Sequence, residues 1–342
     1  RELKSLFSRF QPKDTMRWFE SHGLRLKTEG DNRVFPASNN SQDVIDLFLD
    51  IAEKYRINIR TRCRVASIRP EGGKFVIQAG EQPPQQFDVC ILSTGYSPPG
   101  WKLAASLGHR VIQPVPSLFP FTVKSPVISG LQGISLPHAA GRLELATDSK
   151  ARKFEAEGAI LITHTGLSGP LIYRLSAWGA QALAQAGYQG ILQLDLLPNI
   201  GEQELRNQLE QLLLKAEAKK KLANISFQQL PVRLWHSLLE NSGASLEERC
   251  ETIGKKTLNR LIENLKRLRL PISGKSPSKE EFVSCGGVSL KEIDFRTMES
   301  KKVPNLYFGG EIIDIDGLTG GFNFQACWSE GWAISESLGA RR

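Results

Sequence analysis

The residues best equipped for chemistry lie in one stretch near the C-terminus, Asn305-Leu-Tyr-Phe-Gly-Gly-Glu-Ile-Ile-Asp-Ile-Asp-Gly-Leu-Thr-Gly-Gly-Phe-Asn-Phe-Gln-Ala-Cys-Trp-Ser-Glu-Gly-Trp. A strand over Leu306-Tyr307-Phe308 that ends in Gly309-Gly310-Glu311 sets a carboxylate at the carboxyl edge of a sheet, where it can accept hydrogen bonds from ribose or ribityl hydroxyls. The second pair, Gly320-Gly321, opens a helix. Its free N–H groups and positive dipole end stabilise an electron-rich group, either a phosphate or the N1–C2=O edge of a reduced flavin. Glycine pairs also make ligand-free β-to-α turns, so the pattern alone leaves both readings open. His164, in Thr163-His164-Thr165-Gly166-Leu167-Ser168-Gly169-Pro170, is the acid–base candidate, because an imidazole titrates near neutral pH. No metal is expected. His22, His109, His138 and His236 lack partners at ligand spacing, and Asp314 and Asp316 alone read as a solvated loop.

Those residues need elements to hold them. Val44, Ile45, Leu47, Phe48, Ile51, Ala52 and Tyr55 recur at helical spacing, which predicts an amphipathic helix over 41–55 with an N-cap at Asn40-Ser41. Short strands are expected at 57–60 and 63–68, and Glu71-Gly72-Gly73-Lys74 turns into a further strand at 75–78. The apolar run 87–93 reads as a buried parallel strand that stops at Thr94-Gly95, a carboxyl edge of the kind at which α/β sheets bind ligands. From Pro114 the sequence becomes proline-punctuated and β-branched, with short strands at 121–124, 127–128, 143–145 and 159–163. Helices are expected at 171–186, 203–222, 228–240 and 246–268, a strand at 192–198, sheet again from about Glu281, and a last helix at 325–338. This order describes one α/β domain made of the two ends of the chain, with a β-rich and helical insertion between them.

Composition bounds the function. The 342 residues carry 44 Lys+Arg against 36 Asp+Glu, a formal charge of +8, and 40% are apolar, which fits a folded chain of about two domains and excludes collagen-like, coiled-coil and wholly disordered readings. No run approaches the ~18 apolar residues of a membrane span. The five cysteines, Cys63, Cys90, Cys250, Cys285 and Cys327, never form C-x-x-C, so a reducing, cytoplasmic setting is expected, with an organelle left open because any leader would precede Arg1. Basic residues gather at Lys219-Lys220-Lys221, Lys255-Lys256, Arg260, Lys266-Arg267 and Arg269, which reads first as a solvated helix face and second as a nucleic-acid surface.

Five segments together bring a family into view: Asn32-Arg-Val-Phe-Pro-Ala-Ser-Asn, Thr163-His-Thr-Gly-Leu-Ser-Gly-Pro, Cys285-Gly-Gly-Val-Ser-Leu-Lys-Glu-Ile-Asp, Thr297-Met-Glu-Ser-Lys and the run from Gly309 to Trp332. They span nearly the whole chain. The sequence resembles the BaiN-type NAD(P)/FAD-dependent oxidoreductases of the glutathione-reductase-like FAD group. The resemblance implies an α/β (α+β overall) fold: a discontinuous FAD-binding domain at 1–112 and 273–342, a β-barrel-like, β-rich insert at 113–198 and a helical insert subdomain at 199–272. The family's G-x-G-x-x-G strand–turn–helix unit does not occur here, so the chain is expected to be a fragment lacking at least one βαβ unit.

Carried over by position, the resemblance implies that Val65 pairs with the adenine through its backbone and that Thr94-Gly95 lies near the pyrophosphate. It places Gly310-Glu311 at the ribityl chain and Gly320, Gly321, Phe322 and Asn323 at the isoalloxazine ring. The expected function is hydride transfer between flavin N5 and an organic substrate, with reduction of an activated C=C bond as one class, FAD as cofactor and NAD(P)H as a candidate donor. The expected partner is a small molecule, with neither nucleic acid nor membrane, and the oligomeric state is open. The alternative is a non-enzymatic RNA-binding module that uses the basic helical insert.

Overall fold

The chain leaves one folded unit at Pro114 and returns to it at Gly286, so that Arg1–Pro114 and Gly286–Arg342 form one unit and Val115–Cys285 a second. A computed structural model describes residues 3–30, 32–145, 153–275 and 283–340. The outgoing and returning passes run close together. A Cβ at Gly286 would stand 2.6 Å from the Gln113 carbonyl oxygen, so only glycine fits there.

The first unit is built on one parallel strand pair, Cys90–Leu92 beside Leu306–Phe308, extended by Glu299–Ser300 and Ile293–Asp294. Cys90–Leu92 is one of the two edges of that sheet among the described residues, Ile293–Asp294 being the other. The expected continuous strand at 87–93 divides instead. Gln85–Phe87 pairs with Lys74–Ala79 in a separate antiparallel sheet with Val65–Glu71, and only Cys90–Leu92 joins the parallel pair. Apolar periodicity registers burial and not partner, which is why the run reads as one strand. Residues 57–60 form no strand and are exposed, whereas the Gly72-Gly73 turn joins its two strands as expected, with φ of +59° and +80°.

The helices of this unit start and are held for legible reasons. Gln42–Lys54 starts at Ser41, where the Asn40 side chain, and not Ser41, accepts the Gln42 N–H at 3.1 Å. Pro98–Ser106 is capped by Ser97 and pinned from beneath by the Trp101 indole N–H, which donates to the Ile312 carbonyl at 3.1 Å. The long helix Gly320–Gly339 begins at the second glycine pair, five residues before the expected 325. Its buried Gln325 and Ser329 both donate to the Phe10 carbonyl, and Thr15 donates to Gln325 at 2.9 Å, so the polar groups under the N-terminal helices are satisfied.

The second unit is a closed six-stranded barrel in the order Lys153–Ile162, Gly166–Ser168, Phe121–Val123, Leu268–Lys275, Gly190–Asp195, Ser135–Glu144, with every strand pair antiparallel. Residues 126–128 form a 3-10 turn instead of a strand, and the helix expected at 171–186 breaks at Gly179 into Pro170–Trp178 and Ala180–Gln185. The helix expected at 203–222 ends at Ala216 through a π turn, Leu212–Ala216, and that at 228–240 spans Val232–Asn241. The 246–268 stretch holds a 3-10 turn, Cys250–Thr252, and the helix Lys255–Lys266, after which the chain enters the barrel strand Leu268–Lys275.

The sequence boundaries shift accordingly. Barrel and helices are not two subdomains split at 198/199, because one contiguous core runs from Phe119 and Leu143 through Trp235 to Leu265 and Ile272. The insert closes at 285 and not 272, because the last barrel strand is needed to seal the ring. The sheet expected from Glu281 begins at Val283 within the described residues, Glu281 itself lying outside them. No described helix is long and apolar enough to cross a membrane.

Candidate cofactor site

At the carboxyl ends of the two parallel strands the first unit opens a cavity of about 570 Å³. Three elements line it. The first strand contributes Ile91, Ser93 and Gly95. The second contributes the turn Gly309-Gly310-Glu311. One face of the long helix contributes Cys327, Gly331, Ile334, Ser335 and Leu338. Ligands of open α/β sheets bind at this edge because side chains and N–H groups converge there with no strand to cover them.

The turn is shaped by backbone geometry. Gly310 adopts φ +78°, and Gly309 lies so close to the helix that a Cβ would stand 3.3 Å from Ile334. The Gly310 N–H donates to Glu330 Oε2 at 2.5 Å, and Glu330 is 1% exposed. Burial raises the Glu330 carboxyl from an ordinary 4.5 to about 7. Burial, reinforced by Glu330 and Glu311, pushes the Cys327 thiol up to about 12, so Cys327 stays protonated and is no nucleophile at neutral pH. Asp314 is half-buried, with its carboxyl raised by burial and partly held down by the Gly286 N–H, and is not the solvated loop residue expected.

Beyond the turn, the long helix starts with a cap. Thr319 accepts from the Phe322 N–H at 3.2 Å, and Asn323 clamps the approaching loop by accepting from the Gly317 N–H at 2.6 Å and donating to the Thr319 carbonyl at 3.1 Å. The Phe322 ring lies edge-on to Phe7 with centroids 5.4 Å apart. The side chains of Phe322 and Asn323 are therefore engaged by the protein. What this helix start offers is the Gly320 and Gly321 backbone, where an added Cβ would meet nothing within 4 Å.

Of the residues expected at a cofactor, Gly95, Gly310 and Glu311 share the cavity, and Gly320 to Asn323 form the start of the helix that walls it. Thr94 turns its side chain onto Gly100, where a Cβ would be 1.9 Å from the Thr94 oxygen. Val65 opens the separate antiparallel sheet, paired with Ala79, and does not line the cavity. His164 lies in the second unit, exposed in the hairpin between Lys153–Ile162 and Gly166–Ser168, with no hydrogen bond to its ring among the described residues. Glu330 was not anticipated. The legible signal was a charged residue on the apolar face of a helix, four residues after Ala326 and before Ile334.

These groups suit FAD: a carboxylate beside the sheet edge for hydroxyls, a glycine turn with room for a chain against it, and free helix-start N–H groups for an electron-rich ring edge. A discontinuous Rossmann-type unit interrupted by a barrel defines the class, an FAD-dependent oxidoreductase. The chain belongs to the family described as HI0933-like protein Rossmann domain, which matches residues 1–337. It is 28% identical over 345 residues to the ribosomal RNA dihydrouridine synthase of Escherichia coli (strain K12), covering 98% of this chain and 81% of that protein. The protein of the same description in Haemophilus influenzae is 27% identical, with 98% and 82% covered. The 3-dehydro-bile acid delta(4,6)-reductase of Clostridium scindens is 27% identical over 354 residues, with 99% and 83% covered.

Proposed function

We propose that the protein saturates a C=C bond conjugated to a carbonyl group, using FAD recharged by NAD(P)H. The observation that carries this is the pairing, in one unit, of the Glu311 turn with the open Gly320-Gly321 helix start. The names of the relatives support the reaction class, because a dihydrouridine is a uridine with its conjugated C=C saturated and a 3-dehydro-delta(4,6) steroid is a conjugated ketone. Bound FAD supplies the hydride. Glu311 accepts hydrogen bonds from the ribityl hydroxyls, Gly310 leaves room for the chain, and the Gly320 and Gly321 N–H groups hold negative charge at the ring edge.

The substrate divides into two readings. A small conjugated ketone is the first. A uracil within ribosomal RNA is the second, favoured by the two synthase relatives. Five of the nine clustered basic residues of the helical insert are engaged by carboxylates of the same unit, which weakens the second reading: Lys220 pairs with Glu217, Lys221 with Glu247, Lys266 with Asp195, Arg267 with Glu202 and Glu263, and Arg269 with Glu144.

The test is anaerobic titration with FAD, followed by NADPH or NADH and then by an acceptor. Flavin absorption bands that bleach with the nicotinamide and return with a conjugated ketone support the first reading. Return only with unmodified ribosomal RNA, whose uracils gain two hydrogens by mass spectrometry, supports the second. Absence of flavin uptake defeats both.

A further inference from the structure

Glu330 occupies a position that burial alone makes costly. A carboxyl group with 1% exposure must have a compensating contact, and among the described residues the one it makes is with the backbone of the cavity turn, the Gly310 N–H at 2.5 Å. Cys327 and Ile334, three residues before it and four after, share its side of the helix, and both line the cavity. The turn lies directly against that face. A Cβ on Gly309 would stand 3.3 Å from Ile334, and one on Gly310 would stand 3.8 Å from the Cys327 sulfur. The helix that carries Glu330 is the same one that begins at Gly320-Gly321. Through it, the two halves of the cofactor site are attached to one rigid rod, ten residues and roughly 15 Å apart at 1.5 Å per residue.

We propose that Glu330 is a positioning residue: by gripping the Gly310 N–H it locks the Gly309–Gly310–Glu311 turn to the helix Gly320–Gly339 and so fixes Glu311 relative to the helix N-terminus. This rests on the cofactor reading above. Without the grip, the Gly310 N–H loses its acceptor, and the left-handed Gly310 backbone, free of side-chain constraint, has other conformations within reach. Glu311 would then sample positions away from the ribityl hydroxyls. The contact needs an acceptor oxygen at that place and not a negative charge, so a glutamine satisfies it and an alanine does not.

The experiment compares wild type, Glu330→Gln and Glu330→Ala in two readouts. The first is amide hydrogen exchange of the 309–311 turn in the FAD-free protein. The second is FAD affinity from flavin fluorescence quenching. Glu330→Ala is expected to speed turn exchange and weaken FAD binding, each about tenfold or more, and Glu330→Gln to restore both to within about threefold of wild type. Exchange and affinity in Glu330→Ala equal to wild type overturn the proposal. If Glu330→Ala does not fold, Glu330→Gln decides: tenfold faster turn exchange in a folded Gln variant shows that the acceptor oxygen is not what holds the turn. A wild type that takes up no FAD would defeat the cofactor reading, while the exchange measurement would still settle the role of Glu330 in the turn.

Discussion

The glycines packed into the barrel wall and those around the cavity serve different ends. Around the barrel, four glycines sit where neighbouring atoms leave no room: a Cβ would stand 2.6 Å from Leu171 at Gly141, 2.3 Å from the Phe121 carbonyl at Gly166, 2.8 Å from the Ala159 carbonyl at Gly169 and 2.6 Å from Leu145 at Gly190. In the unit that holds the cavity, a Cβ at Gly95, Gly320, Gly321 or Gly331 would meet nothing within 4 Å. The first set lets strands and helices approach. The second leaves space that the protein itself does not fill. Exposure runs the same way. Fifteen of the nineteen exposed large hydrophobic side chains among the described residues belong to the cavity unit, Ile91 at the sheet edge and Ile45, Phe48, Ile57 and Ile59 among them, and four belong to the barrel unit. A closed barrel abolishes its edges and buries its interior by itself, whereas an open sheet leaves an edge strand with unpaired backbone groups.

Substitution at matched glycines breaks or sharpens this contrast. Gly166→Val forces atoms into the Phe121 and Val123 backbone and is expected to cost more than about 4 kcal/mol, enough to unfold the barrel unit; a urea transition within 1 M of wild type would show that the strands can yield.

The next largest effect separates the units by pH. Glu330 titrates at about 7 in the folded chain and near 4.5 when unfolded, so between these values the folded state binds the extra proton. Stability is therefore highest below about 4.5 with respect to this group, falls as pH rises to 7, and stays lower above it, a change of about 3 kcal/mol. Glu330→Gln removes the slope. Melting curves of both proteins from pH 5 to 8 check it, and parallel pH profiles would show that Glu330 does not titrate there.

In the barrel unit, Lys266 reaches Asp195 at 2.6 Å and the Leu197 and Ile200 carbonyls at 2.9 and 2.7 Å from a side chain only 10% exposed. Lys266→Ala leaves those acceptors unserved, with an expected loss of about 2 kcal/mol in urea denaturation. The smallest stability effect carries the sharpest functional contrast. Gly321→Val should change stability by less than about 0.5 kcal/mol, since its side chain enters open space, yet weaken FAD binding at least about tenfold. Unchanged FAD affinity would place the flavin elsewhere.

Much of this was legible along the chain. The 41–55 helix, the Gly72-Gly73 hairpin, the strand ending in Gly309-Gly310-Glu311 and the helix opening at Gly320 follow from apolar period and from turn residues. Where the reading went astray, local pattern was blind to partners. The run 87–93 serves two sheets, and the apolar stripe that continues past Lys266 leaves the helix and enters a barrel strand. Within the site, Phe322 and Asn323 carried side chains suited to a ring, but the fold turns them onto Phe7, Gly317 and Thr319.

By itself, the sequence determined the class of site: a carboxylate after a strand, glycine pairs at a turn and at a helix start, and no metal-ligand spacing, all of which depend on residue type and short-range geometry. Only the tertiary structure decided that Glu330 and the Gly310 amide meet, although twenty positions separate them. The same is true of Gly95 joining the same cavity from across the sheet, and of His164 belonging to another unit. The physical reason is that a hydrogen bond or a cavity wall between distant residues is set by how strands pair and helices pack, and neither is written in the spacing of residues along one element.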